Sequence, residues 1–133
     1  LTGLVACALA LSNFLAQQRP VTSVAVHYNV GVFQKVANNR GIKLRTDVAG
    51  YAAVRDCGRI GQLVRARVGK AMGWFQVLDC SHPRDYSYQD GIKYGPYRGV
   101  VIEVNAAVAQ QGGWFYPGMG SGKTSATVYG YRR

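Results

Sequence analysis

Apolar and polar positions alternate over short stretches separated by turn residues, a rhythm of period two that predicts strands. Leu63 to Val68 is the cleanest case: Val64, Ala66 and Val68 point one way, Arg65 and Arg67 the other. Gly69 to Gly73 is a hairpin-length link to Trp74-Phe75-Gln76-Val77-Leu78-Asp79, so two antiparallel strands are expected between Leu63 and Asp79. Upstream, Val24, Val26, Tyr28 and Val30 alternate as on a half-buried strand, with His27 on the other face. Tyr51 to Arg55 reads as a short strand broken by Asp56-Cys57-Gly58. Val100 to Val104 is an apolar strand interrupted by Glu103, unusual in a fully buried strand. Thr124 to Tyr131 alternates again and reads as a closing strand.

Between these strands the pattern changes. Asn38-Asn39-Arg40-Gly41 is a turn, and the segment from Val32 up to it fits a short helix or a strand. Asp47 to Gly50 is a second turn. Asn105 is placed to cap a short helix from Ala106 to Gln111, which Gly112-Gly113 ends. Ser81 to Gly99 is loop-like and holds Tyr86, Tyr88, Tyr94 and Tyr97. A loop that long in a small domain is functional or mobile. Its tyrosines are expected either to stack on sugar rings or to cover the domain.

The first sixteen residues are different in kind. Leu1 to Ala16 carries no charge and precedes Gln17-Gln18-Arg19-Pro20. It reads as an apolar helix, the remainder of a secretory signal or an N-terminal membrane anchor. Ala8-Leu9-Ala10 fits a small-x-small cleavage site, and Leu4-Val5-Ala6-Cys7 is similar to a lipobox. The expected division is residues 1–18 as signal or anchor and 19–133 as one domain. The remaining length is enough for a core of its own. On this reading the domain works outside the cytoplasm, secreted or membrane-anchored. Cys57 and Cys80 then remain once Cys7 is set aside with the leader, and an oxidising compartment lets them pair.

Charge narrows the partners. Sixteen Lys and Arg against six acids give a net +10, a field that attracts anionic polymers or membrane surfaces. The basic residues are scattered and no nucleic-acid motif is present, so the charge reads as a surface property rather than a nucleic-acid site. No metal or cofactor is expected: two cysteines and the isolated His27 and His82 have no ligand spacing. Gly118 to Thr124 superficially fits a phosphate-binding loop. However, Pro117 stands where the motif requires Gly, and Thr124 leads into a strand rather than a helix, so no nucleotide is expected.

Candidate chemistry gathers where the Trp74 strand ends, in Asp79-Cys80-Ser81-His82-Pro83. A carboxylate at the end of a rigid strand can be desolvated by a neighbouring wall and serve as a general acid. It can equally cap a turn before Pro83.

Four segments in order carry a family resemblance: Gly50-Tyr51-Ala52-Ala53, Gly61 to Ala66, Val77 to Pro83, and Val101 to Ala107. Together they resemble the double-psi β-barrel of rare lipoprotein A, expansin N-terminal domains and related endoglucanases, over about Tyr51 to Gln111. The resemblance implies a mainly β fold, a six-stranded barrel with one or two short helices and a polysaccharide groove. Asp79 falls on the acid of the family's second motif, and Glu103 takes the Asp position of the third, followed by Asn105 and Ala106-Ala107. Lytic transglycosylase members have a His after the Ala-Ala pair. Here Val54, Arg55 and Asp56 follow Ala52-Ala53, leaving Asp56 or His82 as substitutes. Cys57 and Cys80 would lie on neighbouring elements.

Cleaving a glycosidic bond needs one protonated acid, and hydrolysis adds a second carboxylate. Asp79 is the expected acid and Glu103 the second candidate, with Tyr51, Trp74, Tyr86 and Tyr88 as candidate sugar-binding residues. Two functions stay open: a peptidoglycan lytic transglycosylase or glycoside hydrolase-like enzyme, and a non-catalytic expansin-like module that binds wall polymer or a protein partner.

Overall fold

Six strands close into a barrel in the order β1-β5-β2-β4-β3-β6. They are β1 (Val21–His27), β2 (Gly50–Val54), β3 (Leu63–Val68), β4 (Ala71–Cys80), β5 (Val100–Val104) and β6 (Lys123–Arg132). Helix α1 (Val32–Arg40) lies between β1 and β2, and helix α2 (Ala106–Gln111) between β5 and β6. The computed structural model describes residues 19–81 and 99–133. The apolar segment of residues 1–18, His82 and the loop tyrosines lie outside the described residues.

The pairing pattern has an internal two-fold. Exchanging β1, β2 and β3 for β4, β5 and β6 reproduces the same ring of neighbours. β1 runs parallel to β5 as β4 runs parallel to β2, and the remaining neighbours are antiparallel. Each parallel pair is extended past its strands by a matching hydrogen bond, Tyr28 N–H to the Val104 carbonyl and Ser81 N–H to that of Val54. Each also carries a register shift, between Val24 and Ala25 in one and between Ala52 and Ala53 in the other.

The alternation read at β3 is the barrel's inside and outside. Val64, Ala66 and Val68 are fully buried, packing with Ala52, Val77 and Ile102, whereas Arg65 and Arg67 are exposed. On β1 the residue turned into the core is Ala25, and the strand ends at His27 rather than reaching Val30. The β3–β4 hairpin is tighter than its glycines imply. β4 begins at Ala71, leaving Gly69 and Lys70 as the turn, with Gly69 at φ 59° where a side chain would be strained.

A second, smaller core sits outside the barrel. The ambiguous segment from Val32 is helical because Phe33 and Ala37, one turn apart, both bury against Ala53 and Leu78. Gly31 and Gly41, both at positive φ, bound it at either end. The second helix forms where expected, but the Asn105 side chain does not cap it. Its Oδ1 instead accepts the Tyr51 N–H at 2.9 Å and ties α2 to β2. Cys57 and Cys80 form a disulfide with Cα atoms 5.0 Å apart, joining the turn after β2 to the end of β4.

Candidate functional site

Asp79 stands next to a register shift. Ala52 pairs with Val77, but Ala53 pairs with Asp79, so Leu78 is an additional residue on β4. Such bulges re-aim the side chains that follow them. Leu78 packs with Phe33, Ala37 and Ala53 in the outer core. The Asp79 carboxylate meets two donors. Tyr28 Oη donates to Oδ2 at 3.0 Å, and Arg40 Nη2 donates to Oδ1 at 2.7 Å. Tyr28 is itself stacked on Phe33, with ring centroids 4.3 Å apart. Asp79 therefore links the end of β4 to the chain leaving β1 and to the last turn of α1, and its side chain is 19% exposed.

Glu103 lies on the other side of Ala53. That residue pairs with Asp79 on β4 and with Glu103 on β5. The two acids thus occupy one row of the sheet with a single alanine between them, their Cα atoms two strand spacings or roughly 10 Å apart. Glu103 is half-buried on the outer face, and its Oε1 accepts the Ser81 hydroxyl at 2.9 Å.

The other candidates are dispersed. Asp56 stands at the start of the 3-10 turn Cys57–Arg59, accepts the Gly58 N–H at 2.8 Å, and is 65% exposed beside Arg59. Tyr51 donates its hydroxyl to the Arg45 carbonyl at 2.6 Å. Trp74 is on the outer face of β4 under the Arg132 guanidinium, 4.4 Å from the ring centroid. His82, Tyr86 and Tyr88 lie outside the described residues. His27 bonds through both ring nitrogens: Nδ1 donates to the Tyr28 carbonyl at 3.2 Å and Nε2 accepts the Gly122 N–H at 3.1 Å. With its ring tilted against Phe115, it pins the loop before β6 to the end of β1, a structural role.

Two clefts stand apart from the acid pair. One, of about 300 Å³, is lined by Arg19, Arg55, Asp56, Arg59, Tyr129 and Tyr131 over a floor that includes Val101 and Val128. Arg59 lies over the Tyr131 ring at 4.4 Å, and burial pushes the Tyr131 phenol above its ordinary pKa. The other, of about 280 Å³, runs between the start of α1 and α2 and includes Phe33, Tyr51 and Asn105. Neither is lined by Asp79 or Glu103. Among the described residues no group of three His, Cys, Asp or Glu side chains is placed to hold a metal ion.

The sequence reading missed Tyr28 and Arg40 as partners of Asp79. It also missed the arginine–aromatic stacks of β6, although the Tyr129-Gly130-Tyr131-Arg132 run is a visible signal for them. Compared with known protein families, with curated proteins and with solved structures, the chain gives no match.

Proposed function

We propose that the chain is an exported double-psi β-barrel module, similar to rare lipoprotein A and expansin N-terminal domains, that binds cell-wall polysaccharide or another, anionic wall polymer without cleaving it. One observation carries the choice between binding and cleavage: both Asp79 oxygens already accept hydrogen bonds from Tyr28 and Arg40. A general acid must be aimed at the leaving group within hydrogen-bond reach. Each Asp79 oxygen keeps a second lone pair, but its two donors, set on α1 and in the Tyr28–Phe33 stack, turn the carboxylate towards α1, and it lines neither cleft. The double-psi type is supported by the two-fold exchange of strand triplets and the two parallel pairs. Export is supported by the Cys57–Cys80 bridge, since disulfides persist in oxidising compartments.

A second reading has its own observation. Asp79 and Glu103 share a row across Ala53, the kind of paired carboxylate that glycoside hydrolysis uses. One experiment separates the two. Purified chain and its Asp79→Asn variant are incubated with insoluble wall glycan, and both co-sedimentation and released sugar are measured. Binding by both proteins with no release supports the module. Release by the wild type that Asp79→Asn abolishes overturns it in favour of the enzyme.

A further inference from the structure

The outer face of β4, β3 and β6 carries three exposed guanidinium groups, two of them over aromatic rings. Arg65 on β3 stands opposite Trp74 on β4 and Gly130 on β6, and its guanidinium reaches over the Tyr129 ring at 5.9 Å. Arg132 lies over Trp74 at 4.4 Å. Arg67 follows two residues along β3, on the same face, opposite Met72 and Thr127. All three arginines are exposed, and none is taken by an ion pair among the described residues. Among the described acids, Asp47 feels Arg132 but is already held by two hydrogen bonds from Arg45.

A guanidinium stacked on a ring loses little freedom on binding and keeps its N–H edges open to oxyanions. Arg65 and Arg67 sit about 7 Å apart along the strand, and adjacent strands add steps of about 5 Å. The result is an open set of three anion seats spread over two strands rather than a pocket for one small ligand. Trp74 and Tyr129 already carry arginine over their rings, which disfavours the base stacking on which single-stranded nucleic acids rely. Both phosphate and carboxylate accept the guanidinium fork. A phosphodiester carries its charge in a flexible backbone, so successive phosphates can adjust to guanidinium groups spaced along and across the strands, whereas a carboxylate on a stiff sugar ring is fixed by the orientation of the ring.

We infer that this face, built on Arg65, Arg67 and Arg132, binds a linear phosphodiester-linked wall polymer. The inference rests on the binding reading above and names the class of polymer and the surface. The test measures affinity of the 133-residue chain for poly(glycerol phosphate), for polygalacturonate, for single-stranded DNA and for uncharged glycan strands, across a salt series. With three phosphates neutralised, affinity for poly(glycerol phosphate) falls about a hundredfold per tenfold rise in salt. The triple variant Arg65→Gln, Arg67→Gln, Arg132→Gln loses at least tenfold and most of that salt slope, while its unfolding temperature stays near wild type. Trp74→Leu, which keeps every charge, weakens binding severalfold by freeing Arg132.

Tight binding to uncharged glycan that the triple variant retains would overturn the inference and leave the binding module standing. Equal or better affinity for polygalacturonate or DNA would overturn the phosphodiester assignment. No binding to any polymer would remove the module and the inference together.

Discussion

Arg40 and Asp79, 39 residues apart in sequence, meet at 2.7 Å and tie the last turn of α1 to the end of β4. Tyr28 donates to the other oxygen of the same carboxylate. Asp79→Ala removes both bonds and leaves the Tyr28 hydroxyl without this acceptor. The expected loss is about 1 kcal/mol, since the pair is only partly shielded from water. In thermal unfolding that is a fall of about 4 °C. A double-mutant cycle with Arg40→Gln should show coupling between the two sites, and fully additive losses would mean that the ion pair adds no stability.

The disulfide holds the turn after β2 against the end of β4. Its bridge spans a sequence separation of 23 residues. Replacing both cysteines by serine is expected to cost about 3 kcal/mol on the loop-entropy account. Unfolding scans with and without reductant check it. Indistinguishable curves for the wild type in the two buffers would show that the bridge contributes nothing.

Gly50 opens β2 at a point where helix α2 crosses close to the strand. A Cβ there would lie 2.6 Å from Val108 Cγ2 and 2.7 Å from Asn105 Oδ1, the atom that receives the Tyr51 N–H. Gly50→Ala is therefore expected to destabilise by about 1–3 kcal/mol through overpacking. Gly41→Ala meets nothing within 4 Å, so its effect comes only from its positive φ of 69°. Denaturant midpoints of the two variants separate the crowding effect from the backbone effect.

Asp47 offers a pH signature. The hydrogen bonds from Arg45 lower its pKa to about 2, below the ordinary aspartate value of 3.8. A carboxylate depressed in the folded state stabilises above its unfolded pKa, and that contribution disappears as pH falls through the folded value. The window is therefore between about pH 4 and pH 2. NMR titration should give an Asp47 midpoint near 2, and Arg45→Gln should raise it towards 3.8. The two proteins should differ in stability at neutral pH and converge at the acid end of the window.

Much of the strand pattern was legible because β3 exposes one face and buries the other, and β5 alternates between buried and half-buried positions. LVRARV states its register outright, and the half-buried Glu103 in VVIEV marks the outward side. β4 was harder. Trp74 to Asp79 has no clean alternation, because Leu78 is an additional residue that turns to the outer core. Val32 to Arg40 was ambiguous because valine and phenylalanine suit strands, and the helix is chosen by what Phe33 and Ala37 pack against. The surroundings of the candidate site depend on crossovers. Tyr28 reaches Asp79 across 51 residues, and Arg65 reaches Tyr129 only once β3 and β6 are neighbours. Local periodicity contains no information about which strands become neighbours.

The exchange of strand triplets has a mechanical consequence. β1, β2 and β3 cannot form half a barrel by themselves, because β2 has β4 and β5 as neighbours and β1 has β5 and β6. The two triplets are interwoven, joined covalently at the Gly69-Lys70 turn and again by the bridge between Cys57 and Cys80. A protease nick at that turn would leave one molecule: its two fragments would stay laced strand between strand and stitched by sulfur, and neither could be drawn out without dismantling the other.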